Sequence, residues 1–275
     1  MVQVLFGAMP VLGKIAITSF DPGHVAMVRM SGAAVFFLAM RRVLGVPDLP
    51  LSEQPRVLLC GILGISANQL LFLNGLSLTS ANHAALITTT IPVQTILVAA
   101  LLGRERLERR RVGGVVVALL GVLVLLTAHE EGGQTSLAGD LLVVANCGVY
   151  AAYLVLSRDL LTRYAPLTVL PWLFVWGTIT ALPFAGLPSP SGHTTASWAA
   201  LVFIVLGPTI GTYWLNLFAL RTVPSSVVAL FIYLQPFVSV ALAYPLLGER
   251  PGARFFAAVI LTFSGVWLAT RPREG

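Results

Sequence analysis

Two cations in this sequence stand where cations are expensive. Lys14 and Arg29 fall within the apolar runs "VQVLFGAMPVLGKIAITSF" and "HVAMVRMSGAAVFFLAM". An ionised side chain in hydrocarbon costs several kcal/mol unless a partner meets it. A cation kept there is therefore a candidate for attracting an anion such as a carboxylate. The structural alternative stays open. Both residues lie toward one end of their runs, where a long stem can snorkel to the headgroups, and Asp21 and helix-end carbonyls are available partners.

A second set of residues is neutral. It comprises Asn68, Gln69, Asn74, Gln94, Asn146, Asn216 and Gln235, with Tyr150, Tyr153, Tyr213, Trp214 and Tyr233. One by one, many of these amides are explained by hydrogen bonds between helices in lipid. As a set they describe the lining of an amphipathic pocket. Asn68, Gln69, Gln94, Tyr150, Tyr153, Trp214, Tyr233 and Gln235 would hold a small organic solute there, with Lys14 or Arg29 drawing in its carboxylate. Trp172 and Trp176 read more readily as interfacial anchors.

Carboxylates are missing from the middle of every run. Asp21, Asp140, Asp159, Glu105 and Glu249 all stand at run ends. A proton relay or sodium site at mid-membrane then lacks its usual parts, and Glu105 and Glu249 read as residues that close helices. His24, His83, His129 and His193 lie near run ends or in loops and read as solvated surface. Cys60 and Cys147 form no CxxC pattern and read as small buried side chains. With no nucleophile–base set, phosphate loop or HExxH sequence, neither catalysis nor a metal or cofactor is expected.

The elements that must position these residues are membrane spans. The chain is 57% hydrophobic and 10% charged, with a mean hydropathy of +0.88; soluble domains carry about 25% charged residues. Ten runs are long enough to cross a ~30 Å hydrocarbon layer as helices: 2–20, 23–40, 57–76, 81–102, 112–128, 139–157, 166–187, 198–218, 225–247 and 253–270. The opening run, with no basic leader, is expected to be a first span rather than a removed signal. The +6 formal charge resides mostly in short loops, where it sets orientation. The expected partners are the lipid bilayer and a small molecule, and not nucleic acid.

The runs repeat. "IPVQTILVAALLGRER" and "QPFVSVALAYPLLGER" place Pro92 and Pro236, and likewise Glu105 and Glu249, 144 residues apart. The same offset superposes Gly121 on Gly265, Pro22 on Pro166 and Lys14 on Arg158. The chain is thus a duplication, with units at 1–128 and 137–271. Five spans per unit force the second copy to enter from the opposite face, as an inverted repeat. Arginines agree: Arg41, Arg42, Arg104, Arg106 and Arg109 to Arg111 crowd loops of the first half, whereas Arg163, Arg271 and Arg273 appear where the first half has none. By the positive-inside rule both termini are cytoplasmic. Each proline cannot donate to the carbonyl four residues back, Thr88 or Ile232, so both are expected to kink their spans near mid-depth and act as hinges. The small residues of "RVGGVVVALLGVLVLL" and "FFAAVILTFSGVWLA" suit close packing of spans five and ten, within one chain or across a homodimer.

The stretches "NQLLFLNGLSLTSANHAALITTTIPVQTILVAALLGRERLERRRVGGVVVALLGVLVLL" and "NLFALRTVPSSVVALFIYLQPFVSVALAYPLLGERPGARFFAAVILTFSGVWLA" resemble the two copies of the EamA-type repeat of the drug/metabolite transporter superfamily. The segment from Pro22 to Arg29 is similar to the family's second span, where an arginine is usual; the second copy has Leu173 there. The resemblance implies ten helices in two inverted five-helix units around a central cavity. It implies alternating-access transport of amino acids, other small metabolites or drugs, often outward. The alternative of another class is a non-transporting membrane scaffold with the same fold.

Overall fold

The computed structural model of the chain describes residues 2–104, 109–127, 135–186, 194–215 and 234–270. Every element among them is helical, and most are all-round apolar, as lipid requires of backbone that has no water to bond. The order is α1 (Val2–Ile17), α2 (Pro22–Val43), α3 (Gln54–Gly61), α4 (Asn68–Leu78), α5 (Ala81–Thr88), α6 (Ile91–Leu101), α7 (Arg109–Leu126), α8 (Leu137–Arg163), α9 (Pro166–Ala181), α10 (Thr195–Ile204), α11 (Gln235–Leu247) and α12 (Ala253–Thr270). Five spans are long and apolar enough to cross a membrane: Pro22–Val43, Leu51–Leu78, Leu137–Arg163, Pro166–Phe184 and Thr195–Leu215. The pair Ala81–Thr88 and Ile91–Leu101 makes a sixth if counted as one bent span.

Local chemistry sets the ends. Asp21 accepts the N–H of Gly23 at 2.8 Å and Pro22 opens α2; Ser80, Ser136 and Thr194 cap α5, α8 and α10 through their hydroxyls. Such caps satisfy donors that have no partner within the helix.

Two spans depart from α geometry. Between α3 and α4 the chain makes a π-helical turn over Ile62–Ala67, and after α10 another over Val205–Gly211. Their last residues are 144 apart. A π turn adds a residue to the turn and redirects the side chains after it, and such turns gather at functional positions.

The fourth span is broken, not merely kinked. α5 stops at Thr88, Thr89 and Thr90 make 3₁₀-type bonds to Leu86 and Ile87, and α6 leaves at 43°. Pro92 is the second residue of α6, where a missing N–H costs nothing. The break therefore precedes the proline. Pro236 holds the same place in α11; the stretch that would lead into it lies outside the described residues.

Packing pairs α2 with α9, α4 with α8, α1 with α10 and with α11, and α6 with α8. The most extensive pairing joins α7 and α12. Gly121 makes it possible, since a Cβ there would lie 2.6 Å from the backbone nitrogen of Thr262. The small-residue faces of these two helices are thus spent on each other within one chain.

Candidate functional site

Arg29 lies on the eighth residue of α2 and is 4% exposed, so it does not snorkel. Its Nε donates to Thr209 Oγ1 at 3.0 Å and its Nη1 to Gln69 Oε1. Thr209 belongs to the second π turn, and Gln69 comes two residues after the first. One guanidinium thus bridges the two irregular turns. Among the described residues those bonds use two of its five N–H donors, leaving donors to meet a carboxylate. Asp21, within reach by sequence, is engaged instead in capping α2.

Aromatic rings wall this position. Tyr213, four residues beyond Thr209, meets Phe174 edge-on at 5.1 Å and Phe37 at 6.5 Å. Tyr150 and Tyr153 lie 5.5 Å apart, and both pack against the same core as Tyr213. The ring of Tyr153 sits over Gly64 of the first π turn, where a Cβ would come within 2.4 Å of it. The glycine makes room for the ring.

The remaining predicted residues have other places. Asn68 offers its backbone carbonyl to Asn146 Nδ2 at 2.7 Å, joining the third and sixth spans as interhelical glue. Gln94 bonds Thr90 at the break of its own span, at 3.1 Å, and faces Gly148. Gln235 pairs with Gln3 of α1. Trp214 is 40% exposed, and Tyr233 lies outside the described residues. The residues brought together are Arg29, Gln69, Tyr150 and Tyr153, joined by Thr209 and Tyr213. Trp214 stands about 100° around the helix from Tyr213, its neighbour in sequence. Thr209 gives no signal in sequence, because a threonine in a span is ordinary.

A second polar cluster sits where α1 ends and α5, α8 and the turn after α11 begin. Lys14 donates to the carbonyl of Thr79, which is a helix-end acceptor. Thr79 Oγ1 donates to Asp140, and His83 Nδ1 lies 3.1 Å from the same carboxylate. Glu249 accepts the N–H groups of Ala81, at 2.9 Å, and Asn82, at 3.3 Å, at the start of α5. His83 is 0% exposed, Asp140 2% and Glu249 1%. The reading of His83 as solvated surface is therefore overturned, and two of the acids at run ends, Asp140 and Glu249, are buried. These run ends are tucked under their neighbours, which periodicity along one helix cannot reveal.

The opposite end of the bundle is also charged, and most of its ions are exposed. Arg41 pairs with Asp48 and stacks over Trp172, whose indole donates to Asp48 at 2.7 Å. Arg104 reaches Asp159 at 3.2 Å and the carbonyl of Val155 at 2.8 Å; Arg163 reaches Glu53 at 3.4 Å. Both predicted anchoring tryptophans are tied by hydrogen bonds, Trp176 to Gln54 at 2.7 Å. Glu105 lies outside the described residues.

The model of the EamA-like transporter family matches this chain twice, at residues 1–127 and 137–271. A probable terminal-alkyne amino-acid exporter of Streptantibioticus cattleyicolor is 30% identical over 95% of this chain and 88% of its own length. A probable amino-acid metabolite efflux pump of Salmonella typhimurium is 26% identical over 98% and 92%. A protein of known crystal structure superposes with a TM-score of 0.68 at 21% identity, covering 98% of this chain and 94% of its own. That likeness shows the fold.

Proposed function

The chain belongs to the EamA-like transporter family, and we propose that it moves an amino-acid-like metabolite outward across the cell membrane by alternating access. It is a multi-pass membrane transporter and not an enzyme. The finer reading is ten spans in two inverted five-helix repeats, 1–128 and 137–271, with both termini cytoplasmic.

Several observations support the inverted arrangement. Exchanging the halves maps the observed pairings onto one another: α1 on α11 becomes α8 on α6, α1 on the second π turn becomes α8 on the first, and α2·α9 and α7·α12 map onto themselves. The two π turns exchange likewise. Alternating access draws support from the broken fourth span and from buried ions at one end of the bundle against mostly exposed ion pairs at the other.

The cargo class rests on one observation, the buried Arg29 fork beside Gln69 with spare donors and a tyrosine wall. The arrangement suits a carboxylate on a small, partly apolar body, with the guanidinium binding the anion bidentately and the rings covering the side chain. The two relatives' names agree in cargo class. Flux of labelled amino acids from liposomes holding the purified protein tests it. Arg29→Leu, which copies the second repeat's Leu173, is expected to cut flux at least tenfold. Wild-type flux no greater than from empty liposomes, across apolar and aromatic amino acids, overturns the cargo.

A further inference from the structure

The cluster of Lys14, Thr79, His83, Asp140 and Glu249 lies apart from the proposed solute site, and its His83, Asp140 and Glu249 are buried. It joins four separate elements: α1, the α4–α5 junction, α8 and the turn after α11. His83 Nδ1 faces Asp140, so its N–H points at the carboxylate and the lone pair belongs to Nε2. Nε2 is buried and has no hydrogen-bond partner among the described residues, an uncommon condition for a polar atom inside a protein.

Charge balance gives that nitrogen a meaning. Lys14 comes from α1, Asp140 from α8 and Glu249 from the turn after α11; Arg250, beside Glu249, turns away toward Tyr244 in an exposed contact. Among the described residues, with a neutral imidazole, the cluster carries one cation against two anions. One proton on Nε2 brings the cluster to neutrality, and uncompensated charge in a low-dielectric site is costly.

We propose that His83 and Asp140 form a proton-binding site that latches this end of the bundle. Water at this face supplies the proton to Nε2, Asp140 stays a carboxylate and accepts from Nδ1–H, and the imidazolium completes the charge balance of the shut state. Loss of the proton leaves a buried net anion, which is relieved when α5 and α8 part and water enters. The inference rests on the alternating-access reading and gives it a controlling ligand, the proton.

Hydrogen exchange of the purified full-length protein tests the latch without any cargo. Amides of residues 79–88, corrected for intrinsic rate, report local opening. Their protection is expected to fall at least about tenfold from pD 5.5 to pD 8.5. His83→Asn keeps a donor at the place of Nδ1 but has no titrating nitrogen, and it should abolish that fall; Asp140→Asn should do so independently. Protection in α9 reports that each variant is folded. Equal wild-type protection at both values, or a full wild-type fall in folded variants, overturns the latch. Adding apolar and aromatic amino acids at fixed pD forms a separate arm. A cargo effect without a pD effect sinks the latch alone, whereas a pD effect that no amino acid alters leaves the latch standing and counts against the cargo.

Discussion

The two ends of this bundle carry the same kinds of charge and use them differently. At one, Asp140 and Glu249 are buried, each bonded across an interface between spans. At the other, Arg104, Asp159, Arg56 and Arg163 pair at distances of 3.2 to 3.9 Å while remaining in contact with solvent. A buried ion that loses its partner is left in a poor solvent, so every bond in the first cluster constrains how spans sit. A hydrated pair is screened and rearranges freely. The difference teaches that buried ions tie spans together at one end, whereas at the other most ions pair within reach of solvent.

Substitutions can break that comparison. Asp140→Ala strips the acceptor from Thr79 and His83 together and is expected to cost about 3–5 kcal/mol, read as a large drop in melting temperature. A loss no greater than at the hydrated end would erase the distinction. Gly121→Val supplies a reference far from both ends: its Cβ collides with Thr262 of α12, and overpacking of this kind costs about 1–3 kcal/mol, with no change in the pD dependence of residues 79–88. Glu249→Gln keeps an acceptor for the Ala81 N–H but removes the anion from the start of α5; a loss of about 1–2 kcal/mol, little altered by salt, is expected.

The hydrated end should answer more weakly. Asp159→Asn, at a carboxylate 39% exposed, is expected to cost under about 1 kcal/mol, and less again in high salt. A larger, salt-independent loss would mean this end is fastened too. Smallest is the pH response of Asp48. Partial desolvation raises its carboxyl, but hydrogen bonds from Trp172, Arg41 and the Leu49 backbone outweigh that and hold it below the usual range. A depressed carboxylate contributes stability above its unfolded value, about 3.9, and loses it as pH falls through the folded one. A slight acid destabilisation, absent in Asp48→Asn, should appear in melting curves only below about pH 4.

Much of the architecture is legible in the residues themselves. Apolar runs mark the helices: α12 runs over Ala253–Thr270 against an expected 253–270, and α2 over Pro22–Val43 against 23–40. The constant 144-residue offset marks the duplication, because proline, glycine and charge rarely recur by chance at one spacing. The cost of a cation in hydrocarbon singles out Arg29. These inferences depend on composition along one helix, which the chain states directly.

What Arg29 bonds, which tyrosine joins it and whether a terminal acid is wet or dry depend on how helices sit against each other. The π turns rotate the side chains that follow them, so no periodic wheel predicts Gln69 and Thr209 at one guanidinium. Burial of His83, Asp140 and Glu249 comes from neighbouring ends closing over them. Such relations are products of packing in three dimensions, and a one-dimensional pattern holds no record of which faces meet.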